Sequence, residues 1–253
     1  NGTFDATGAD IDFTDNSAVL KLALTPTSLG VLDAAKGTVE YDGGTQNVLA
    51  DAYYNLEIDQ SGTKTAQGTV TAAGTMTVQT GATYALAATT TTVTGTSDID
   101  GTTTISTGTY NADGSSDVDG TISITGTGKY DADAAFDASS GNVTFTGAGR
   151  LECSNTVTSL GTLSTGAGTV EYDGAGQSVL ADDYFNLELG GTGTASAAGN
   201  VTCNGTFTLQ NSHDKYDLST HTHQTTGATD INDEIEISTG VYDADGSFDA
   251  TNG

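Results

Sequence analysis

The sequence predicts an all-β protein, a parallel β-solenoid (β-helix) with about 20 residues per coil. Three observations predict this fold: large apolar side chains are few, they alternate with Thr and Ser in short segments, and those segments recur along the chain. Leu, Ile, Val and Phe number 46 of 253 residues, and 33 acidic against 6 basic residues give a net charge of −27. Such a composition alone is typical of a disordered chain, so the prediction of order depends on the repetition.

A long repeat divides the sequence into two copies. Residues 37–58 read GTVEYDGGTQNVLADAYYNLEI and residues 168–189 read GTVEYDGAGQSVLADDYFNLEL, so their numbering is offset by 168 − 37 = 131. The match extends through most of each copy, and one added residue later makes the offset 132. The pattern predicts one continuous solenoid over residues 1–253, made of two long copies (about 1–131 and 132–253) and open at both ends.

A shorter period runs inside each copy. Segments 101–119, 120–140 and 141–159 follow one another at steps of 120 − 101 = 19 and 141 − 120 = 21 in the numbering. Each segment opens with alternating side chains such as Ile122 and Ile124, passes a Thr-Gly break, continues as a second short strand and ends in an Asp/Ser/Gly-rich turn. Such alternation indicates half-buried strands, and the Gly, Asn and Asp positions indicate bends. Each segment therefore predicts one coil.

Stacking of coils explains how so thin a core could be stable. Strands this short, with so little apolar surface, are not stable as isolated hairpins. In a solenoid each coil buries a few inward side chains against the coils above and below, and each strand pairs with the next coil. At about 20 residues per coil the chain predicts roughly 12–13 coils, which at ~4.8 Å per coil form a rod of ~60 Å.

The repeated block also resembles a known kind of protein segment. The pattern GTVEYDGxxQxVLADxYxNLEL, followed by short GTxTx strands, resembles the repeated β-helical segments of very large prokaryotic cell-surface and secreted proteins. The resemblance covers essentially the whole chain. It implies an extracellular structural or adhesive role and no reaction, because such segments occur in stalks, adhesins and filaments alike.

These observations predict a mechanical function. The chain is interpreted as a stiff extracellular segment of a surface fibre, filament or stalk that associates with copies of itself end to end, since uncapped solenoid ends expose unpaired strand edges. The sequence begins and stops part-way through a repeat unit, which predicts a mature protein or a piece of a longer array. The alternative is an adhesin-type module that binds glycans or a surface, and segment 211–223, which differs between the copies, is its candidate loop.

Composition disfavours several other functions. Six basic residues are too few for a nucleic-acid partner, and no apolar run approaches the roughly 18 residues that cross a membrane. A polysaccharide-degrading β-helix enzyme is the less favoured alternative, because the chain has one Arg, Arg150, no Trp and no long insertion to form a cleft. No catalytic residue is assigned. Thr ladders such as Thr75 and Thr77 suit an ice-binding face, which the charge and the irregular coils disfavour.

The most repeated polar feature predicts a calcium site. The motif Y-[N/D]-A-D-x-x-x-D occurs three times, and its first two occurrences, one coil apart, would stack Asp113 near Asp133 and Asp117 near Asp137. Carboxylates about 5 Å apart repel unless solvated, protonated or bridged by a cation, and Ca²⁺ prefers oxygen ligands. The alternative is that Asp and Asn are simply turn formers. The candidate ligands are Asn111, Asp113, Asp117, Asp131, Asp133, Asp137, Asp243, Asp245 and Asp249.

Histidine and cysteine provide weaker candidates. His221 and His223 share one face of a strand, but both matching residues in the first copy are Thr, so an exposed pair is predicted in preference to a metal site. Cys153 and Cys203 are separated by 203 − 153 = 50 in the numbering. That separation is about two and a half coils, or ~12 Å, and exceeds the roughly 7 Å Cα limit for a disulfide. Two free or buried thiols are predicted. Four Asn-x-Thr sequences match the glycan-acceptor pattern, as chance allows in so Thr-rich a chain.

Overall fold

The computed structural model describes residues 3–32, 35–164, 166–210 and 213–250. Within these ranges the chain forms 36 β-strands and no helix. The strands stack in parallel as a β-solenoid of about 12 turns, with about 19 residues per coil, which confirms the predicted fold class. The described residues contain no helix with the length and apolarity that crossing a membrane requires.

Each complete coil contributes one strand to each of three faces, so equivalent strands of successive coils form long sheets. Sheet 1 holds only β1 (Asp10–Ile11) and β3 (Val31–Leu32). Sheet 2 holds β2 (Val19–Leu22), β4 (Thr38–Tyr41), β7 (Asn55–Ile58), β10 (Met76–Val78), β13 (Ser97–Ile99), β16 (Ser116–Val118), β19 (Phe136–Asp137) and β22 (Val157–Ser159). Sheet 3 holds β5 (Gln46–Val48), β8 (Gly62–Ala66), β11 (Ala82–Leu86), β14 (Thr102–Ile105), β17 (Thr121–Ile124), β20 (Asn142–Phe145) and β23 (Thr162–Ser164).

The remaining strands form one long sheet and two short ones. Sheet 4 holds β6 (Ala52–Tyr53), β9 (Val70–Ala72), β12 (Thr90–Val93), β15 (Thr109–Ala112), β18 (Lys129–Ala132), β21 (Arg150–Cys153), β24 (Thr169–Tyr172), β27 (Asn186–Leu189), β30 (Phe207–Leu209), β33 (Thr229–Ile231) and β36 (Phe248–Asp249). Sheet 5 holds β25 (Ser178–Val179), β28 (Gly193–Ala197), β31 (His213–Asp217) and β34 (Ile235–Glu236). Sheet 6 holds β26 (Asp183–Tyr184), β29 (Val201–Cys203), β32 (Thr222–Thr225) and β35 (Val241–Ala244).

Alternation along the strands places every second side chain inside the rod. Strand β17, for example, buries Ile122 and Ile124 and leaves Thr121 and Ser123 partly exposed. Equivalent side chains of successive coils stack on one another, as the rings of Tyr110 and Tyr130 do, with centroids 4.8 Å apart and planes 8° from parallel. A narrow column of such stacks gives the chain a continuous core from few apolar residues.

Hydroxyl groups inside the rod bond to one another. The hydroxyl of Tyr110 donates to Ser97 Oγ at 3.0 Å, and the hydroxyls of Ser116 and Tyr130 lie 2.8 Å apart. A buried hydroxyl without a partner would destabilise the fold, so these contacts explain how Tyr and Ser can take core positions that Phe and Val would otherwise hold. The low apolar content of the chain is therefore compatible with an ordered interior.

The second sequence copy is turned by one third of a coil relative to the first. Strands β4 and β24 carry the same sequence, TVEY, yet β4 lies in sheet 2 and β24 in sheet 4. Between them the chain advances 24 − 4 = 20 strands, which at three strands per coil is six and two thirds coils. Equivalent residues of the two copies therefore face different sides of the rod.

Coil length varies, and the repeated block forms the shortest coil. Val39 pairs with Leu56, a step of 56 − 39 = 17 in the numbering, and the equivalent pair in the second copy has the same step. Phe207 pairs with Thr229, a step of 229 − 207 = 22. The sequence VEYDGxxQxVLADxYxNLE therefore specifies a tight coil.

Candidate functional site

The sheets are interrupted where each tight coil begins. In the second copy β22 ends sheet 2 and β23 ends sheet 3, while β25 and β26 begin sheets 5 and 6 and sheet 4 runs through unbroken. In the first copy β5 and β6 begin sheets 3 and 4, and sheet 2 runs through. We call these interruptions the first seam (residues 37–58) and the second seam (residues 168–189). The repeated block therefore marks the places where the rod changes its strand pairing.

A pair of buried tyrosines closes each seam from inside. At the second seam the hydroxyls of Tyr172 and Tyr184 lie 3.0 Å apart. The Leu180 N–H donates to the Tyr172 oxygen at 3.3 Å, and the Tyr184 hydroxyl donates to the Leu180 carbonyl at 2.9 Å. Burial raises the pKa of both phenols, so they remain neutral. The first seam repeats these three bonds at 2.9, 3.2 and 2.8 Å, between Tyr41, Tyr53 and Leu49.

A buried glutamine amide joins neighbouring coils at each seam. Gln177 Nε2 donates to the carbonyls of Cys153 and Asn155 at 2.8 and 2.6 Å, and Gln177 Oε1 accepts from the Gly174 N–H at 2.6 Å. One side-chain amide thus does what a backbone peptide group does between paired strands. The first seam has the same arrangement with one carbonyl fewer, where Gln46 bonds to Leu22 and Gly43, both at 2.7 Å.

The two seams differ beside this glutamine. At the second seam a cavity of about 440 Å³ lies between the start of β22 and the start of β25, lined by residues 154–157 and 175–178. At the first seam the corresponding segments are linked directly, because the Asn47 N–H of β5 donates to Thr25 Oγ1 at 2.9 Å. A hydrogen bond therefore spans at the first seam the gap that forms the cavity at the second seam.

The outer face of sheet 4 carries a ladder of carboxylates. Register places Asp131, Glu152, Glu171 and Glu188 side by side on successive coils. We call these four residues the sheet 4 ladder. Two cations lie across it: Lys129, whose Nζ is 2.8 Å from Asp131 and 2.7 Å from Glu152, and Arg150. Arg150 Nη1 contacts Glu171 and lies 2.7 Å from Glu188.

Glu171 is the most perturbed member of this ladder. Burial raises its pKa to about 7, the negative charge of Glu188 acts in the same direction, and the Arg150 guanidinium acts in the opposite direction. Besides the bond from Arg150, Glu188 accepts a hydrogen bond from the Gln210 amide. In the first copy the Gln79 amide donates in the same way to Glu57, at 2.8 Å. Glu171 therefore gains or loses a proton near neutral pH, which couples the rod's surface charge to pH.

Sheet 2 carries a second ladder, in which Glu40 and Glu57 match Glu171 and Glu188 of the sheet 4 ladder. Its register aligns Lys21, Glu40, Glu57, Thr77, Asp98, Asp117 and Asp137. Lys21 lies 2.7 Å from Glu40. Burial, followed by the charges of Asp119 and Asp137, raises the pKa of Asp117. We call this set the sheet 2 ladder. Its Glu40 and Glu57 belong to the first sequence copy, and the matching Glu171 and Glu188 belong to the second. Because the second copy is turned by one third of a coil, the two ladders lie on different faces of the rod.

The structure distributes the predicted calcium ligands over several faces. Asp117 and Asp137 are direct partners in the sheet 2 ladder, as expected from their spacing. Asn111 and Asp131 are partners in sheet 4, next to Glu152. Asp113 and Asp133 lie in the turns that follow these strands. Burial is the main cause that raises the pKa of Asp133, and the negative charges of Asp131 and, to a smaller extent, Asp113 act in the same direction. In the second copy the corresponding residues lie in or beside strands of sheets 6 and 4: Asp243, Asp245 and Asp249.

Each predicted loop therefore turns a corner of the rod. Asn111 belongs to sheet 4 and Asp117 to sheet 2, so the two ends of one motif point from different faces. The Asn111 amide donates to Asp113 at 2.6 Å, a bond that a turn former makes without any ion. Over the described residues, no group of three or more His, Cys, Asp and Glu side chains has a geometry that could hold a metal ion. Calcium binding stays a prediction.

The predictions for the cysteines are confirmed, whereas the prediction for the histidine pair is only half correct. The prediction of an exposed His pair is wrong for His223, which is fully buried, while His221 is partly exposed. His223 follows Val201 in the register of sheet 6 and therefore points inward. Cys153 and Cys203 are buried free thiols, as predicted. Residues 211 and 212 of the candidate loop 211–223 lie outside the described residues.

Sequence reasoning missed the seam glutamines and the Arg150 ion pairs. The signal was present, because Gln46 and Gln177, like Glu57 and Glu188, occupy matching positions of the repeated block. What was not visible was their environment, since the contact of Arg150 with Glu188 spans two coils of different length.

Together the seams, ladders and stacked core define the class of this protein, a three-faced parallel β-solenoid built of long sequence repeats. No protein-family description, curated protein or solved structure matches the chain.

Proposed function

We propose that the protein is an extracellular structural element, a stiff segment of a surface fibre, filament or stalk of the β-helical repeat type. The observation that supports this proposal is the open axial surface of the last described coil. There the inward positions Ile237 and Phe248 remain 48% and 55% exposed, whereas their counterparts in the preceding coil, Leu218 and Thr229, are 0% and 2% exposed. A solenoid can be extended at such a surface by further coils of the same chain or by a second copy.

The charge of the rod suits this role. The carboxylate ladders run along the outer faces, and the net charge is −27. Like charges along the sides disfavour lateral contact between rods and keep them soluble, whereas the apolar axial surface favours contact end to end. The proposed association therefore has one direction, along the axis.

Negative-stain electron microscopy and analytical ultracentrifugation test the proposal. Single rods of about 60 Å should be seen at low concentration, with longer, unbranched rods as concentration rises. The double variant Ile237→Lys, Phe248→Lys should stay at the length of a single rod, whereas Val31→Lys, at an exposed site on the side of sheet 1, should still form longer rods. A monodisperse monomer at high concentration, without fibres, counts against association between separate chains.

Calcium is proposed as a stabiliser of the stacked carboxylates, and thermal melting checks it. Binding with a dissociation constant of about 0.1–1 mM would raise the melting temperature by about 3 °C in millimolar Ca²⁺. Asp117→Asn should reduce this rise, because Asp117 lies between Asp98 and Asp137 in the sheet 2 ladder. The control is NaCl of equal ionic strength, and an identical rise in both salts removes the calcium proposal.

A further inference from the structure

The cavity of the second seam lies between two strand edges that, among the described residues, have no strand partner on that side. Strand β22 is the last strand of sheet 2, and β25 is the first strand of sheet 5. Residues of both strands line the cavity. Two unpaired edges on opposite walls present backbone donors and acceptors to whatever lies between them.

The hydrogen bonds show which backbone groups face the cavity. On β25 the carbonyls of Gln177 and Val179 accept from Ser196 and Ala198 of sheet 5, at 2.9 and 2.8 Å. Backbone groups of alternate residues point to opposite sides of a strand, so the N–H and C=O of Ser178 point into the cavity. The first seam supports this assignment. There the equivalent N–H, that of Asn47, donates across the gap to Thr25.

The corresponding threonine at the second seam does not close the gap. Thr156, which matches Thr25, directs its hydroxyl to its own neighbour Asn155, at 3.4 Å. Asn155 takes the place of Leu24, and Val157 takes the place of Pro26. The second seam is therefore open at a position where the first seam is hydrogen-bonded.

The Gln177 amide indicates which chemistry suits this cavity. It already fills one position of the gap and bonds in the manner of a peptide group, donating to Cys153 and Asn155 and accepting from Gly174. The cavity continues from this amide along the two strand edges. Its volume of about 440 Å³ falls within the roughly 300–1,000 Å³ typical of ligand sites.

The geometry points to a peptide-binding site at the second seam: an extended segment of another polypeptide inserts between β22 and β25 and continues the row of amides that Gln177 begins. Strand addition gives affinity through main-chain bonds and is tolerant of side chains. The net charge of −27 favours a segment with basic flanks. Insertion would join sheets 2 and 5 into one continuous face.

Fluorescence anisotropy with the full chain tests this assignment. The probe is a labelled peptide with the sequence Thr-Met-Thr-Val-Gln-Thr followed by two lysines. It copies residues 75–80, because β10 within them is paired on both edges in sheet 2. We expect saturable binding at one site. A probe methylated on alternate backbone nitrogens should bind at least about tenfold more weakly, since it keeps the side chains but loses donors.

Two variants locate the site, and a third serves as the matched control. Ser178→Pro removes the N–H that faces the cavity, and Ala175→Trp fills the cavity from its exposed rim; each should weaken binding at least about tenfold. Asn47→Pro makes the same backbone change at the first seam and should leave binding unchanged. Circular dichroism melting confirms that each variant is folded.

Several outcomes would overturn the assignment. These are no saturable binding at millimolar peptide, equal affinity for the methylated probe, or equal loss with Asn47→Pro. Saturable binding of cellotriose at the cavity, with no binding of the peptide, would also overturn it in favour of a glycan site. Failure of end-to-end association in the microscope leaves this test unaffected, because the two surfaces lie at different places on the rod.

Discussion

Replacement of His223 by threonine is expected to make the protein markedly more resistant to acid. In the unchanged protein the coils around His223 should lose stability progressively as the pH falls below 6.5, the ordinary pKa of a histidine. In His223→Thr this loss should be absent. Thr is the appropriate replacement, because Thr91 holds the equivalent position in the first copy and bonds to the Tyr84 hydroxyl at 2.7 Å.

The physical reason is a neutral imidazole enclosed in the core. His223 is 0% exposed, its Nδ1 lies 3.2 Å from the Tyr216 hydroxyl, and its Nε2 has no hydrogen-bond partner. Its ring lies 4.3 Å from that of Phe207 and 5.1 Å from that of Tyr242. The inward-facing titratable groups on the strands around it are Tyr216, Tyr242 and Cys203, whose pKa values are all raised by burial, so none of them carries a charge that would stabilise an imidazolium. Lys215, Asp217 and Asp243 alternate with them on the outer face of the same strands.

The sign of the effect follows from the two pKa values. Burial lowers the pKa of His223 to about 3, so between pH 6.5 and 3 the unfolded chain binds a proton that the folded chain refuses. Stability contributed by the neutral form is complete above pH 6.5 and falls as the pH drops. At 1.36 kcal/mol per pKa unit the loss reaches about 5 kcal/mol near pH 3.

The measurement is urea unfolding of the unchanged protein and of His223→Thr between pH 7.5 and 4. The quantity compared is the difference between their free energies of unfolding at each pH. The difference is necessary because Glu171 acts in the opposite direction: its pKa is raised to about 7, so its protonation stabilises the fold as the pH falls from 7 toward 4.5. Both proteins share this contribution. Parallel curves for the two proteins would show that His223 is hydrated or hydrogen-bonded, contrary to the structure.

The fold was predictable because a solenoid repeats its rules in every coil. Alternation at Ile122 and Ile124, with Gly and Asp at the bends, is enough to indicate strand and corner. The one-third turn between the copies was not predictable. It depends on whether one sequence copy makes a whole number of coils, and the step per coil varies from 56 − 39 = 17 to 229 − 207 = 22 in the numbering. An average of about one residue fewer per coil would have made seven whole coils and aligned the copies.

The same limit applies to the sites. Stacking of Asp117 on Asp137 followed from their spacing, and the register bears it out. The spacing did not reveal that a corner separates Asn111 from Asp117, because sequence distance does not show where the chain bends. His223 was misjudged for a related reason: its burial follows from pairing with Val201 of the preceding coil, and the coil between them is longer than average.

Adding a single methyl group at a corner of the rod, by the change Gly114→Ala, is expected to lower the stability of the fold more than the loss of a surface charge does. Gly114 lies in the turn between β15 and β16, directly over Gly95 of the preceding coil. A Cβ at Gly114 would overlap the carbonyl oxygen of Gly95 and come within 2.8 Å of that of Thr94. These atoms belong to the backbone, so no side chain can move aside to relieve the overlap.

The Gly114→Ala change must therefore push two coils apart at this corner. The inter-coil bond from the Asp113 N–H to the Val93 carbonyl, now 2.9 Å, lies next to the overlap and would lengthen. We expect the free energy of unfolding to fall by about 2–3 kcal/mol and the melting temperature by about 5–10 °C. The matched control is Gly44→Ala, because a Cβ there meets nothing within 4 Å, and it should change stability by less than about 0.5 kcal/mol. Since each coil of a solenoid is held only by its neighbours, a separation at one corner weakens both coils that meet there. Equal melting temperatures for the two variants would mean that the coils are not in contact at this corner.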